Sequence, residues 1–201
     1  MTSLEARVVD ILRESPTLMR VLRTARDLDL PDWLVFSGAI YQCVWNHLTG
    51  RSPDYGVRDY DLGYFDAADI SWDGEDAVIR RVAAALEPPL REQVEVRNQA
   101  RVHLWFEDHF GEPYEPLADT AQALTRFAVP ACAIGARLEA DDGLTLVAPF
   151  GLDDVFAMRL RPNPDRGRAR GFDRIVANIQ ARWPEAVVET GQDSPIAAHR
   201  S

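Results

Sequence analysis

The stretch from Asp32 to Asp66 constrains the fold more than any other part of the chain. An apolar run, "DWLVFSG", stops at Ser37-Gly38 and passes directly into "AIYQCVWNHLTG", where Ile40, Cys43, Val44, His47 and Leu48 recur at helical spacing until Gly50. An extended segment that becomes a helix without a linker must turn sharply, and small residues permit that. "RSPDYGV" then reads as a loop, and "RDYDLGYFD" alternates polar with apolar or aromatic side chains, as a half-exposed strand does. Strand, tight turn, helix, loop and strand in this order predict an α/β (α+β) chain with a sheet flanked by helices.

The flanking segments are consistent with that class. Leu4, Val8, Ile11 and Leu12 keep helical spacing, and Ser15-Pro16 supplies an N-cap and first-turn proline for a second helix carrying Leu18, Val21, Leu22 and Ala25. A helix is expected from Glu75 to Leu86, and "EQVEVR" resumes strand alternation with Glu95 between two valines. Asn98 can cap a helix over "QARVHLWFEDHF", with Val102, Trp105, Phe106 and His109 as a core stripe and Gly111 as its stop. A short helix near Thr120 to Arg126, an apolar pair "ACAIGARL" and "LTLVAP" around "ADDG", and a helix near Phe172 to Trp183 complete the reading. Residues 1–189 are expected to form one domain, and the small, polar stretch 190–201 a disordered tail.

Charge narrows the function. The formal net charge is −10, which argues against gripping nucleic acid by its phosphates. All 22 basic residues are arginine, so a P-loop with its lysine and a Schiff-base lysine are both excluded. Cys43 and Cys132 are too few and too distant for a disulfide framework or a Cys-based zinc site, and are expected as buried free thiols in the cytoplasm. No stretch has the run of about 20 apolar residues that a membrane span needs.

Residues i and i+2 of a strand share a side, so Asp59 and Asp61 present their oxygens together while Arg58 and Tyr60 point away. Neighbouring like charges repel; such a pair faces plain solvent or holds a cation. Glu95, on a neighbouring strand of an antiparallel pair, is the most economical third ligand, with Asp66 a rival on the opposite strand face. Three hard oxygens suit Mg2+ or Mn2+ better than zinc. Upstream, free N–H groups at the Ser37-Gly38 turn and the helix dipole attract phosphate. Phosphate beside a cation describes a nucleoside triphosphate site.

The order of these parts resembles the polymerase-beta-like nucleotidyltransferase superfamily. More particularly, "SGAIYQCVWNHLTG", "DYDLGYFD", "VRNQARVHLWF" and "APFGLDDVFAMRLRPNP" resemble a bacterial nucleotidyltransferase-like family within it, over about Asp32 to Trp183. The resemblance implies a mixed sheet with a small C-terminal α/β extension. It also implies in-line transfer of a nucleoside monophosphate to a hydroxyl of a small molecule or protein, with release of pyrophosphate. Asp59, Asp61 and Glu95 would then hold metal, with Glu95 aligning the attacking hydroxyl or taking its proton, and Ser37 and Gly38 would cradle the β and γ phosphates. Ala39 stands where many superfamily members have a second small polar residue, and bulky Tyr60 fills the spacer. Those departures motivate the alternative of an inactive nucleotide-binding or partner-docking module.

Further contacts are expected from polar residues nearby. Asn98 and His103 are candidates for acceptor or sugar, and Arg101 for phosphate. The segment "RLRPNPDRGRARGFDR" holds six arginines and two aspartates, and its Arg159 and Arg161 are candidates for the triphosphate tail. His47 and His109 lack the spacing of a metal helix and are expected to be structural, as is Trp45.

Overall fold

The computed structural model describes residues 2–189; the expected tail lies outside the described residues. Helix α1 (Ser3–Arg13) opens with a capping box between Thr2 and Glu5, and α2 (Pro16–Asp27) starts where the Ser15 side chain accepts from the Leu18 N–H. Strand β1 (Leu34–Phe36) is buried on both faces and runs through Ser37 into α3 (Gly38–Leu48). Strand β2 (Tyr60–Tyr64), α4 (Trp72–Ala84), α5 (Leu90–Gln93) and β3 (Val94–Asn98) follow. Helix α4 begins at a Ser71 cap and is offset toward the N-terminus from its expected position.

The expected single helix after Asn98 is instead a 3-10 segment, Gln99–Leu104, broken at Trp105 from α6 (Phe106–Phe110). Asn98 does cap the first piece, and left-handed Gly111 ends the second. Helix α7 (Gln122–Thr125) precedes a hairpin of β4 (Gly135–Leu138) and β5 (Leu144–Val147). Helix α8 (Asp153–Phe156), β6 (Arg159–Leu160), α9 (Phe172–Gln180) and β7 (Val187–Val188) complete the chain, with β6 and β7 paired in parallel as a small second sheet.

The main sheet is mixed, in the order β3-β2-β1-β4-β5. Strand β1 is antiparallel to β2 and β4, whereas β2 and β3 are parallel. The antiparallel placement expected for Glu95 is therefore corrected. The intervening α4 carries the chain back across the sheet, so β3 starts at the same end as β2, as a βαβ crossover requires; strand alternation alone does not encode direction.

The pleat divides β2 cleanly. Tyr60, Leu62 and Tyr64 enter the larger core with residues of α1, α2 and α3, and Asp61 and Gly63 face the other way. Trp45 and Trp183 are fully buried at the centre of that core; Trp45 Nε1 donates to the Val155 carbonyl, and Trp183 Nε1 to Asn46 Oδ1. Both cysteines are buried and free, with burial pushing each thiol up to about 12. No helix among the described residues is long and apolar enough to cross a membrane.

Asn98 closes the sheet edge. Fully buried, it donates through Nδ2 to the carbonyls of Asp66 and Asp69, accepts at Oδ1 from the N–H groups of Asp66 and Ala100, and its own N–H donates to Glu75 Oε1. Replacing Asn98 by Ala leaves the carbonyls of Asp66 and Asp69 and the N–H groups of Asp66 and Ala100 without their side-chain partner, so Asn98→Ala should lower stability by roughly 2–4 kcal/mol, measured by urea denaturation.

Candidate active site

One row of side chains crosses three strands on the sheet face opposite the large core. Register pairs Phe36 with Asp61 and Asp61 with Glu95, and one step along it pairs Gly63 with Arg97. Adjacent strands lie roughly 4.8 Å apart, so in-register residues on one face are immediate neighbours. Asp59 lies just before β2 and is exposed, Asp61 is half-buried, and Glu95 is exposed.

The row begins beneath the first turn of α3. A Cβ added to Gly38 would stand 4.0 Å from Asp59 Oδ1 and 3.1 Å from Gln42 Nε2, so the bare glycine backbone brings the helix start close to the acidic side chain. Ser37 makes this possible at a cost. Its φ of 48° and ψ of −105° lie in territory that side chains rarely occupy, and its N–H donates 2.7 Å to the Ile134 carbonyl. A non-glycine residue held in that region costs on the order of 1–3 kcal/mol, and such outliers concentrate at functional sites. The Gln42 side chain is buried beside the turn, with Oε1 lacking a hydrogen-bond partner.

Burial pushes the Asp61 carboxyl up to about 7; the charges of Asp59 and Glu95 push the same way, and Arg97 opposes them. All three groups offer hard carboxylate oxygens, the donor type that Mg2+ and Mn2+ take. Among the described residues no three His, Cys, Asp or Glu side chains already converge into a closed metal cluster.

The other anticipated contacts are distributed differently. Asn98 is consumed by backbone hydrogen bonds and does not reach the cleft. Arg101 forms a 2.5 Å ion pair with buried Glu75 and donates to the Ile70 carbonyl, bracing α4 against the 3-10 segment. His103 is half-buried, with Nδ1 unpaired, and lines none of the clefts described here. Arg159 and Arg161 both pair with buried Asp154, and Arg159 also with Glu189, in the small second sheet. Asp66 caps the loop before α4 by accepting from the Ala68 N–H. His47 lies 3.3 Å from Glu14, and His109 packs edge-on against Trp105.

Three clefts adjoin the row. One, of about 260 Å3, is lined by Ser37, Tyr41, Asn178 and Arg182 among others; the second, of about 400 Å3, contains Asp61, Glu95, Arg97 and Arg126; the third, of about 740 Å3, brings Arg101 to the same space as Glu95 and Arg97. Trp105 and Phe106, expected in the core, line the second. Arg182 reaches the first cleft because buried Trp183 anchors the end of α9. Arg97 was detectable in the sequence as the i+2 neighbour of Glu95. Arg126 and Arg182 carried no local signal.

Two measurements test this geometry. An acid whose folded pKa is raised favours the folded state when protonated, so the Asp61 contribution is fully present below about pH 3.8 and is lost as pH rises through about 7. Metal-free protein should therefore lose stability across that window in urea titrations, and Asp61→Asn should flatten the loss. Ser37→Gly should raise stability by about 1 kcal/mol by relieving strain, seen as a higher urea midpoint.

Comparison with known proteins agrees with the architecture. No curated protein matches the sequence. A solved structure described as revealing a CCA-adding enzyme head domain shares 24% identity and a TM-score of 0.75, covering 92% of this chain and 96% of that one. A CCA-adding enzyme in apo form shares 17% identity and a TM-score of 0.53 over 91% of this chain, which spans 42% of that protein's length. These likenesses establish the fold. A family profile described as nucleotidyltransferase matches residues 23–188, which include the Ser37-Gly38 turn and the whole acidic row, and the chain belongs to that nucleotidyltransferase family.

Proposed function

We propose that the chain moves a nucleoside monophosphate from a nucleoside triphosphate to an acceptor hydroxyl with release of pyrophosphate, using Mg2+ or Mn2+. The observation that carries this reading is the row in which Asp61 pairs with Glu95 beside Asp59 and the first turn of α3. Asp59, Asp61 and Glu95 are the residues that would hold the cation, which when bound offsets charge on the triphosphate.

Gly38 receives the β and γ phosphates on its first-turn N–H, which has no intrahelical partner, and Ser37 contributes its hydroxyl, its own N–H being held by the Ile134 carbonyl. The acceptor oxygen bonds to the α-phosphorus, the bond from that phosphorus to the bridging oxygen breaks, and pyrophosphate departs. Glu95 aligns the hydroxyl and takes its proton. The strand order supports an in-line path: Ser37 follows β1 and Glu95 lies on β3, to either side of Asp61 on β2.

A small molecule or a protein side chain is the favoured acceptor, because the net charge of −10 opposes a long polyanion. The fold likeness to a CCA-adding enzyme head domain makes an RNA 3′ end the comparison to include. A second reading, an inactive nucleotide-binding module, is favoured by the open spacing of the acidic side chains.

Incubation with each of the four ribonucleoside triphosphates, Mg2+ and a cell extract of acceptors should release pyrophosphate, and chelation should stop it. Asp59→Asn and Asp61→Asn should each lower the rate roughly 100- to 1000-fold, the scale of losing one charge-stabilising group. Metal-dependent nucleotide binding by calorimetry without product would identify the inactive module, and binding unaltered in both variants would refute the site.

A further inference from the structure

The cleft of about 400 Å3 takes in Asp61 and Glu95 but neither Ser37 nor Gly38, and its chemistry differs from that of the turn. Its walls are aromatic: Phe36, Trp105, Phe106, Phe110, Tyr114 and Phe127. Its floor exists because position 63 is glycine. A Cβ there would stand 2.3 Å from the Phe36 ring, so the bare strand lets Phe36 lie flat over β2.

Two arginines enter this aromatic space. Among the described residues neither Arg97 nor Arg126 forms an ion pair, whereas Arg101 and Arg166 nearby are paired with Glu75 and Glu112. The Arg126 guanidinium lies 5.5 Å over the Tyr114 ring, which holds it in place without neutralising it. Beyond Arg126, Phe106 and Phe110 the space continues into a cleft of about 570 Å3 lined by Arg170 and Arg174, which also lack ion pairs among the described residues. An anion is the ligand that such free guanidinium groups select.

We infer that this cleft is the acceptor site, and that the acceptor is a small alcohol with a planar aromatic body and an anionic group such as phosphate. The inference rests on the nucleotidyl transfer proposed above. The ring stacks among the aromatic walls, the anion binds Arg126 toward the second cleft, and the hydroxyl is held at Glu95. Volume agrees: about 400 Å3 lies in the range of pockets for small organic ligands. In-line displacement also requires it, because a leaving group at Ser37 obliges the nucleophile to enter from the far side of Asp61.

The test uses 1-naphthyl phosphate as probe, with the full chain and calorimetric detection. Binding should occur without nucleotide, should persist when a saturating non-hydrolysable triphosphate and Mg2+ are present, and should weaken at least 10-fold in Arg126→Gln while Arg126→Lys restores most of it. Inorganic phosphate should bind far more weakly than the naphthyl ester. Equal melting temperatures of the variants ensure that lost binding is local. Displacement of the probe by the triphosphate would overturn the inference by making this the nucleobase site, with the transfer reading intact. Failure of the protein to bind triphosphate at all would remove the transfer reading and the acceptor assignment together. No probe binding, or preferred extension of an RNA 3′ end over every small alcohol, would overturn the acceptor class alone.

Discussion

Burial of a carboxyl in the central sheet is the constraint around which this molecule is arranged. Asp61 is half-buried in a strand, preceded by Asp59 and in register with Glu95, and its carboxyl is pushed up to about 7, by burial first and by those two charges second. A fold that served only its own stability would replace such a group with an apolar one. Ser37 at the neighbouring turn is likewise held in a backbone region that side chains rarely occupy. Both features are stabilised by the large core on the opposite face, where Tyr60, Leu62 and Tyr64 pin β2 in place.

That division of faces explains how one short strand serves two purposes. Alternation sends its aromatic and aliphatic side chains into the packed layer and leaves Asp61 and Gly63 to the cleft. The supporting contacts lie at the edges. Asn98 ties β3 to the loop after β2, Arg101 and Glu75 brace α4, and Trp183 ties the end of α9 to Asn46 on α3. Polar residues near a site are often its scaffold rather than its chemistry, and here the buried amide and the paired guanidinium are of that kind.

Much of this was readable from local pattern. The Ser15 cap, the strand-turn-helix through Ser37-Gly38, the inward tyrosines of β2 and the αL stop at Gly111 each follow from spacing or backbone preference within a few residues. Other expectations met longer-range competition. Trp105 and Phe106 have core spacing for one continuous helix, but the chain breaks at Trp105 and turns both rings toward the cleft. Arg159 and Arg161 look free in a basic segment, yet buried Asp154 takes both.

Local pattern specified the first two helices, the strand-turn-helix through Ser37-Gly38, the faces of β2 and the presence of an acidic pair downstream of a helix-starting turn, because those depend on periodicity and on backbone freedom over short distances. Long-range packing set the parallel direction of β3, the register that pairs Glu95 with Asp61, and the partnerships of the arginines: Arg101, Arg159 and Arg161 meet buried carboxylates, whereas Arg97 and Arg126 line an aromatic cleft without an ion pair. Strand direction and ion-pair partnership depend on which distant segments meet, and such meetings are chosen by packing of the whole core rather than by any local run of residues.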